Sequence, residues 1–114
     1  MSTYHPDNWV VIKINSDTHG VFYKVLGGWS GGYTQGSSWR MNSGIEHVDL
    51  IGNSYVFKGF SGSIYSCHTS SYGLKMNNAH VWEQLKDMRG DDVQLMDEDT
   101  NWLELFNKGE KDVV

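Results

Sequence analysis

Residues 45–68 read IEHVDLIGNSYVFKGFSGSIYSCH, which is three short apolar runs separated by two turn-forming pairs. The first pair, Gly52-Asn53, is typical of a two-residue turn between antiparallel strands. Such a turn fixes the register of the residues behind it, since successive side chains of a strand point to opposite faces. It therefore predicts that Val48 lies opposite Phe57.

The second pair, Ser61-Gly62, predicts another two-residue turn, which would place Phe57 opposite Ser66. In that register both faces of the sheet carry large apolar side chains, so the sheet must be covered twice or curl into a small barrel. We therefore expect an α+β fold with a small antiparallel, strongly curved sheet or partial barrel of about five to six strands. Two short C-terminal helices are expected to follow it.

The flanking segments supply the remaining elements. Residues 8–14 and 21–26 are apolar, β-branched runs joined by a polar turn, and they predict a further hairpin. Downstream, Asn77 or Asn78 can cap a helix whose apolar residues recur at helical spacing until Gly90. The sequence thus predicts that helices cover strands formed earlier in the chain.

A short strand and a second helix are expected near the C-terminus. The alternation in residues 93–95 is typical of an edge strand. Asp99 or Thr100 can cap a short helix in which Trp102 begins an apolar stripe, and this helix is expected to end near Gly109.

The composition indicates one domain. A chain of 114 residues supports a single core, so we expect one domain over residues 1–114, with residues 1–7 and 110–114 frayed. The single cysteine, Cys67, cannot form an internal disulfide, and no apolar run is long enough to span a membrane. These features predict a soluble protein of a reducing, cytoplasmic compartment that has no contact with a membrane.

The charge is divided unevenly along the chain. Residues 1–82 carry four acids and five bases, whereas residues 83–114 carry ten acids and four bases, for a net charge of −5 overall. An acidic end repels nucleic acid and attracts basic protein surfaces, so nucleic-acid binding is not expected. The acids either keep the protein in solution as a solvated surface or form an electrostatic contact surface, whose candidate residues are Asp91, Asp92, Asp97, Glu98 and Asp99.

Residues 27–44 form the most unusual segment, with six glycines, four serines, three aromatic residues and one charge. Glycines let a ligand approach the backbone, and aromatic rings offer faces for stacking. The competing interpretation is a glycine-rich hairpin whose aromatic rings cover glycines on neighbouring strands. If the segment binds a ligand or partner, the contact residues are Trp29, Tyr33, Ser37, Ser38, Trp39 and Arg40.

No catalytic or metal-binding pattern is found in the sequence. Cys67 and His68 are adjacent on a predicted strand, so their side chains should point to opposite faces and cannot act as nucleophile and base together. The histidines lack metal-ligand spacing, the acidic tail lacks the calcium-loop pattern, and residues 27–44 lack the lysine of a phosphate loop. We therefore expect no catalytic residue, no metal and no cofactor.

Four stretches carry a resemblance to a known group of proteins. They are YKVLGGWSGGY at residues 23–33, SWRMNSGI at residues 38–45, GFSGSIYSCH at residues 59–68 and SYGL at residues 71–74. Over residues 8–86 the chain resembles small accessory proteins encoded by large tailed bacteriophages. The resemblance carries no known fold, activity or catalytic residue, and it implies a setting inside an infected bacterium.

Two functions of different classes follow from these observations. The first is a non-enzymatic phage accessory protein that inhibits or redirects a host or defence-system protein by direct contact. The alternative is a protein that binds or sequesters a nucleotide-like signalling ligand through residues 27–44. Homo-oligomerisation is a further expectation, because many aromatic side chains on a small chain leave apolar surface exposed.

Overall fold

The computed structural model describes residues 3–30 and 38–106. In these two ranges eight strands form two open four-stranded sheets. Sheet A has the strand order β1-β7-β6-β5, and sheet B has the order β4-β3-β2-β8. The strands are β1 (Thr3–Tyr4), β2 (Asn8–Ser16), β3 (Gly20–Trp29), β4 (Ser38–Met41), β5 (Ile45–Ile51), β6 (Ser54–Gly59), β7 (Ile64–His68) and β8 (Val93–Leu95).

Two short helices lie in the C-terminal part, as predicted. Helix α1 spans Ala79–Arg89, and residues 102–106 form a second helix, α2. The prediction of one curved sheet or partial barrel of five to six strands is wrong, because the described strands divide between two sheets that do not close. None of the helices in the described ranges is long and apolar enough to cross a membrane.

The first hairpin confirms its prediction and extends beyond it. Strands β2 and β3 pair antiparallel over their whole length, from Asn8 opposite Gly28 to Ser16 opposite Gly20. Strand β3 continues through Gly27 and Gly28 to Trp29, so the first part of the glycine-rich segment belongs to sheet B.

The turn between β5 and β6 has the predicted register, with Val48 opposite Phe57. Gly52 has a φ of 61°, and Asn53, like every other non-glycine residue described, has a negative φ. A positive φ at the first central position alone is the pattern of a type II′ turn, which matches the twist of the strands that it joins.

The register predicted for β6 and β7 is wrong by one residue. Gly59 N–H donates to Ser63 O at 2.8 Å and Gly62 N–H to Gly59 O at 3.0 Å, so the loop holds three residues, with Gly62 at a φ of 95°. A three-residue loop ending in a left-handed glycine is a common alternative to the two-residue turn. The longer loop places Phe57 opposite Tyr65, and the side chains of β7 therefore face the opposite way from the prediction.

The main core lies between the two sheets. Trp9 of β2 is 1% exposed, and its ring centroid lies 5.4 Å from that of Phe57 and 4.7 Å from that of Tyr72. The indole N–H of Trp9 donates to His68 O at 2.8 Å. The buried members of this core are Trp9, Val11, Val25, Ile45, Val48, Phe57, Tyr65, Cys67 and Trp102.

A second core lies on the other face of sheet B, beneath helix α1. Val81 and Trp82 of the helix pack with Val10, Ile12 and Leu26 of the sheet. Sheet B is therefore covered on both faces. A sheet with two apolar faces must be covered on both sides. The sequence predicts two such faces for residues 45–68, whereas the structure has them in β2 and β3.

Three buried asparagines join helix α1 to sheet B. Asn8 Nδ2 lies 3.0 Å from Asn77 Oδ1 and 3.2 Å from Asn78 Oδ1, and Asn77 Nδ2 donates to Asn8 Oδ1 at 2.7 Å. Asn78 stands at the predicted helix start, yet its side chain makes no capping bond and instead accepts from the Lys75 N–H at 2.9 Å. The network uses the asparagine side chains to hold the helix on the sheet.

The second helix begins later than predicted. Asn101 Oδ1 accepts a hydrogen bond from Glu104 N–H at 3.1 Å, which is the geometry of an N-terminal cap. Thr100 instead donates its hydroxyl to Asp97 O. Of residues 1–7, which the sequence predicts to fray, Thr3–Tyr4 pair in parallel with β7.

Candidate functional site

Four of the six predicted contact residues lie within the described ranges. Trp29 ends β3, while Ser38, Trp39 and Arg40 lie on β4, which pairs antiparallel with β3. Tyr33 and Ser37 lie outside the described residues. Strand β4 and the end of β3 thus form a two-stranded arm at the edge of sheet B.

Trp29 is held by the N-terminal segment. Its indole N–H donates to His5 O at 3.0 Å, and its ring meets Tyr4 edge-on with centroids 6.4 Å apart. The next residue, Ser30, donates its backbone N–H to Asp7 Oδ2 at 2.8 Å. These contacts fix the end of β3, so the ring of Trp29 serves the fold.

The glycines beside Trp29 are required by close neighbours. A Cβ on Gly28 would lie 2.1 Å from Asn77 Oδ1, and a Cβ on Gly27 would lie 3.0 Å from Pro6 Cβ. Any larger side chain at Gly28 would displace the asparagine network. The nearest neighbours of these glycines are therefore Asn77 and Pro6, and not the aromatic rings of a neighbouring strand.

Trp39 lies on the opposite face of the arm. It pairs with Gly28, whereas Ser38 pairs with Trp29, and neighbouring residues of a strand point to opposite faces. Its side chain is 47% exposed, and within the described residues it makes no ring contact or side-chain hydrogen bond. A tryptophan left this exposed is a candidate binding anchor.

Arg40 shares the face of Trp29 and carries an available charge. Its guanidinium carbon lies 4.7 Å from the ring centroid of Tyr4, which is a cation–π arrangement. No carboxylate within residues 3–30 and 38–106 forms an ion pair with Arg40. Burial raises the pKa of the neighbouring Tyr65 to about 12, and the positive charge of Arg40 opposes this rise.

The acidic residues lie in two groups along the chain, one before β8 and one after it. Asp91 and Asp92 lie in an exposed 3₁₀ turn, Gly90–Asp92, before β8. Asp97, Glu98 and Asp99 follow β8 and line a shallow concavity with Tyr55 and Thr69. Strand β8 therefore separates the two groups.

Cys67 and His68 point to opposite sides of β7, as predicted. Cys67 is fully buried between the sheets, and burial raises the pKa of its thiol well above the ordinary value. His68 is exposed, and its Nδ1 lies 2.7 Å from Ser70 Oγ. Within the described ranges no three His, Cys, Asp or Glu side chains are grouped to hold a metal.

A groove that the sequence did not indicate lies beside the tip of the first hairpin. It has a volume of about 550 Å³ and is lined by His19, Val21, Phe22, Lys24, Ser43 and Phe60. These residues come from the β2–β3 hairpin, the β4–β5 connection and the β6–β7 turn. No local pattern in the sequence could have shown that these three segments meet.

Comparison with known proteins returned no matching family model, no matching curated protein and no matching solved structure.

Proposed function

We propose that this chain is a non-enzymatic binding protein that contacts a partner protein through the outer arm of sheet B, formed by β4 and the end of β3. The observation that carries the proposal is the exposed ring of Trp39 on one face of the arm, with Arg40 exposed on the other face. Tryptophan and arginine are the residue types most often found at the energetic centres of protein interfaces.

The arm presents these side chains on a fixed support. Its inner strand is anchored through Trp29 and Ser30, so the partner would not have to order the end of β3. Among the described strands β4 pairs only with β3, which leaves its outer backbone groups available to an incoming strand. Backbone pairing and an aromatic anchor can therefore act together.

The nature of the partner follows from the expected setting. The resemblance to phage accessory proteins supports a host or defence-system protein in the bacterial cytoplasm, whose activity would be inhibited or redirected by contact. The deep burial of Cys67, which raises the pKa of its thiol, supports the non-enzymatic part of the proposal, because a thiol that stays protonated is a poor nucleophile.

The alternative, a nucleotide-like ligand held by residues 27–44, has less support. The rings of Trp29 and Trp39 lie on opposite faces of the arm, so one chain cannot clamp a planar ligand between them. Arg40 remains available for an anion on the face of Trp29. A ligand that copurifies with the protein in native mass spectrometry would revive this alternative.

The proposal is tested by measuring partner capture and its loss in a single variant. The wild-type protein is immobilised, a bacterial lysate is passed over it, and any stoichiometric partner is purified and titrated against wild type and Trp39→Ala. We expect Trp39→Ala to weaken binding by about tenfold or more, which corresponds to about 1.4 kcal/mol. Ile51→Ala, which truncates an exposed apolar side chain of sheet A, should bind as wild type does.

Two results would contradict the proposal. One is the absence of any stoichiometric partner in the lysates of several bacterial hosts. The other is equal affinity of wild type and Trp39→Ala for the partner that is found. If instead neutralising Asp97, Glu98 and Asp99 abolished binding, the interface would lie at the acidic concavity and not at the arm.

A further inference from the structure

We propose that the groove beside the first hairpin is a binding site for a small organic anion with an apolar or aromatic body. The site is distinct from the arm that carries Trp39, because its residues come from the β2–β3 hairpin, the β4–β5 connection and the β6–β7 turn. It would give the protein a ligand in addition to a protein partner.

The walls of the groove are aromatic and are held in place by the backbone. Phe60 is 62% exposed, and its backbone N–H donates to Gly44 O at 3.0 Å. A Cβ on Gly44 would lie 2.9 Å from the Phe60 ring and 3.8 Å from the ring of Phe22. Gly44 has a φ of 139°, a conformation that favours glycine, so the close approach of the Phe60 ring to the backbone depends on this residue.

Ser43 supports the same wall. Its hydroxyl oxygen accepts a hydrogen bond from Ser61 N–H at 3.0 Å and lies 3.2 Å from the Ser61 hydroxyl. These bonds join the β4–β5 connection to the β6–β7 turn on which Phe60 stands. An exposed aromatic side chain on a braced turn can receive a ligand without first having to be ordered.

The polar groups of the groove favour an anion. Lys24 Nζ lies 5.9 Å from the ring centroid of Phe22, and within the described residues no carboxylate forms an ion pair with it. Among the residues that the structure describes, His19 is the other titratable group in the lining, and no acid lines the groove. The nearest acid in the sequence, Asp17, lies in the same hairpin turn but outside the lining.

This local charge is the reverse of that of the whole chain. The protein carries a net charge of −5, yet among the described residues the groove is lined by one lysine, Lys24, and by no Asp or Glu. A cation beside two aromatic rings complements a ligand that combines a negative group with an apolar body. A neutral apolar ligand would gain nothing from Lys24, and a fully polar anion would gain little from the rings.

The size of the groove favours a small molecule over a protein. A volume of about 550 Å³ lies within the range of about 300–1,000 Å³ found for ligand pockets. The six described residues that line it are far fewer than the roughly 20–30 per side that a stable protein interface uses. The occupant is therefore a compact organic carboxylate, sulfonate or phosphate ester.

Two dyes that differ only in charge test this proposal on the full chain. The anionic probe is 8-anilinonaphthalene-1-sulfonate, and the neutral probe is N-phenyl-1-naphthylamine, which is the same ring system without the sulfonate. We expect the anionic dye to bind wild type with a 1:1 stoichiometry. Amide shifts in heteronuclear NMR spectra should be centred on Phe22, Lys24 and Phe60.

Single variants then distinguish the contribution of the Lys24 charge to dye binding from that of the aromatic rings. Lys24→Met should lower the affinity for the anionic dye by about five- to tenfold and leave the affinity for the neutral dye unchanged, because only the charge contact is lost. Phe60→Ala should lower the affinity for both dyes. Lys58→Met changes the net charge of the protein by the same amount on the outer face of sheet A, and it should bind both dyes as wild type does.

The proposal is overturned if Lys24→Met and Lys58→Met lower the affinity for the anionic dye equally, since the effect would then be one of net charge. It is also overturned if the shifted amides lie at Trp39, at the acidic concavity or throughout the chain. Near-UV circular dichroism of each variant shows that the dye reports a folded protein, since expanded states also bind this dye.

Discussion

The two sheets of this protein bury their surfaces differently. In sheet B, strand β2 buries six of its nine residues, in an almost unbroken run, because sheet A covers one face and helix α1 covers the other. In sheet A, strand β7 and the second half of β6 alternate between buried and more exposed residues, and Glu46, Asp49 and Lys58 mark the open side. The same strand geometry therefore serves a central layer in one sheet and an outer layer in the other.

This difference predicts where the protein is sensitive to substitution. Positions on β2 have packed neighbours above and below, so a truncation there leaves a cavity or an unpaired polar group. Positions on the outer face of sheet A have solvent on one side. Substitutions at four positions probe this contrast, in order of decreasing expected effect.

Trp9→Ala should have the largest effect. It removes a ring in contact with Tyr55, Phe57, Tyr72 and Trp102, together with the indole hydrogen bond to His68 O. We expect the free energy of unfolding in urea to fall by about 3–5 kcal/mol, which can abolish folding in a domain of this size.

The milder variant Trp9→Phe keeps the prediction testable if Trp9→Ala does not fold. It retains an aromatic ring but has less volume and no hydrogen-bond donor. The free energy of unfolding should therefore fall by less than in Trp9→Ala, by an amount that urea denaturation can still measure. A loss below about 0.5 kcal/mol for Trp9→Phe would mean that the centre of the sandwich is not tightly packed around this residue.

Asn8→Ala should have the second largest effect, on the opposite face of the same strand. It leaves the buried amides of Asn77 and Asn78 without a shared partner, and we expect a loss of about 2–3 kcal/mol in the free energy of unfolding. Hydrogen exchange should also become faster along helix α1. Asn53→Ala, in the turn after β5, is the matched control and should change stability little.

The local parts of the fold could be predicted from the sequence. The β2–β3 hairpin, the register across Gly52-Asn53, the helix ending at Gly90 and the short strand β8 all follow from turn residues and periodicity. These signals are local, because each depends on residues within one or two turns of the chain.

The arrangement of these parts could not be predicted in the same way. The pair Ser61-Gly62 is compatible with two-residue and three-residue loops, and only the burial of Tyr65 and Cys67 against sheet B selects the longer one. The division into two sheets depends on contacts between distant segments, such as Trp9 with Phe57. A sequence pattern holds no information on such pairs.

The candidate site shows the same limit. The exposure of Trp39 and the anchoring of Trp29 depend on which face of β3 meets the N-terminal segment, so the sequence could propose both residues but not distinguish them. No sequence pattern indicated the groove around Lys24 and Phe60, since it forms where three separate segments of the chain meet.

Tyr72→Phe tests the contact that joins β2 to the residue after β8. We expect a smaller loss in the free energy of unfolding than for Asn8→Ala. The Tyr72 hydroxyl donates to Met96 O and accepts from Val11 N–H, so its removal should cost about 1–2 kcal/mol near neutral pH. Burial raises the pKa of Tyr72 to about 12, from about 10 in the unfolded chain. A raised pKa stabilises the fold fully below pH 10 and loses that contribution as the pH rises to 12.

The variant should therefore be less stable than wild type at pH 7 and should lose less of its remaining stability between pH 10 and 12. Urea titrations at several pH values measure both quantities. Parallel curves for the two proteins above pH 10 would show that Tyr72 ionises as readily in the fold as in the unfolded chain.

Ile51→Thr should have the smallest effect and is the sharpest test of the contrast between the sheets. Ile51 is 63% exposed on the outer face of sheet A, and threonine keeps the β-branched shape that suits a strand, so we expect a change within about 0.5 kcal/mol. A loss above about 1 kcal/mol that grows with protein concentration would mean that a second copy covers this face in solution. Sheet A would then also be a central layer, in the dimer and not in the single chain, and the difference between the two sheets would be one of assembly.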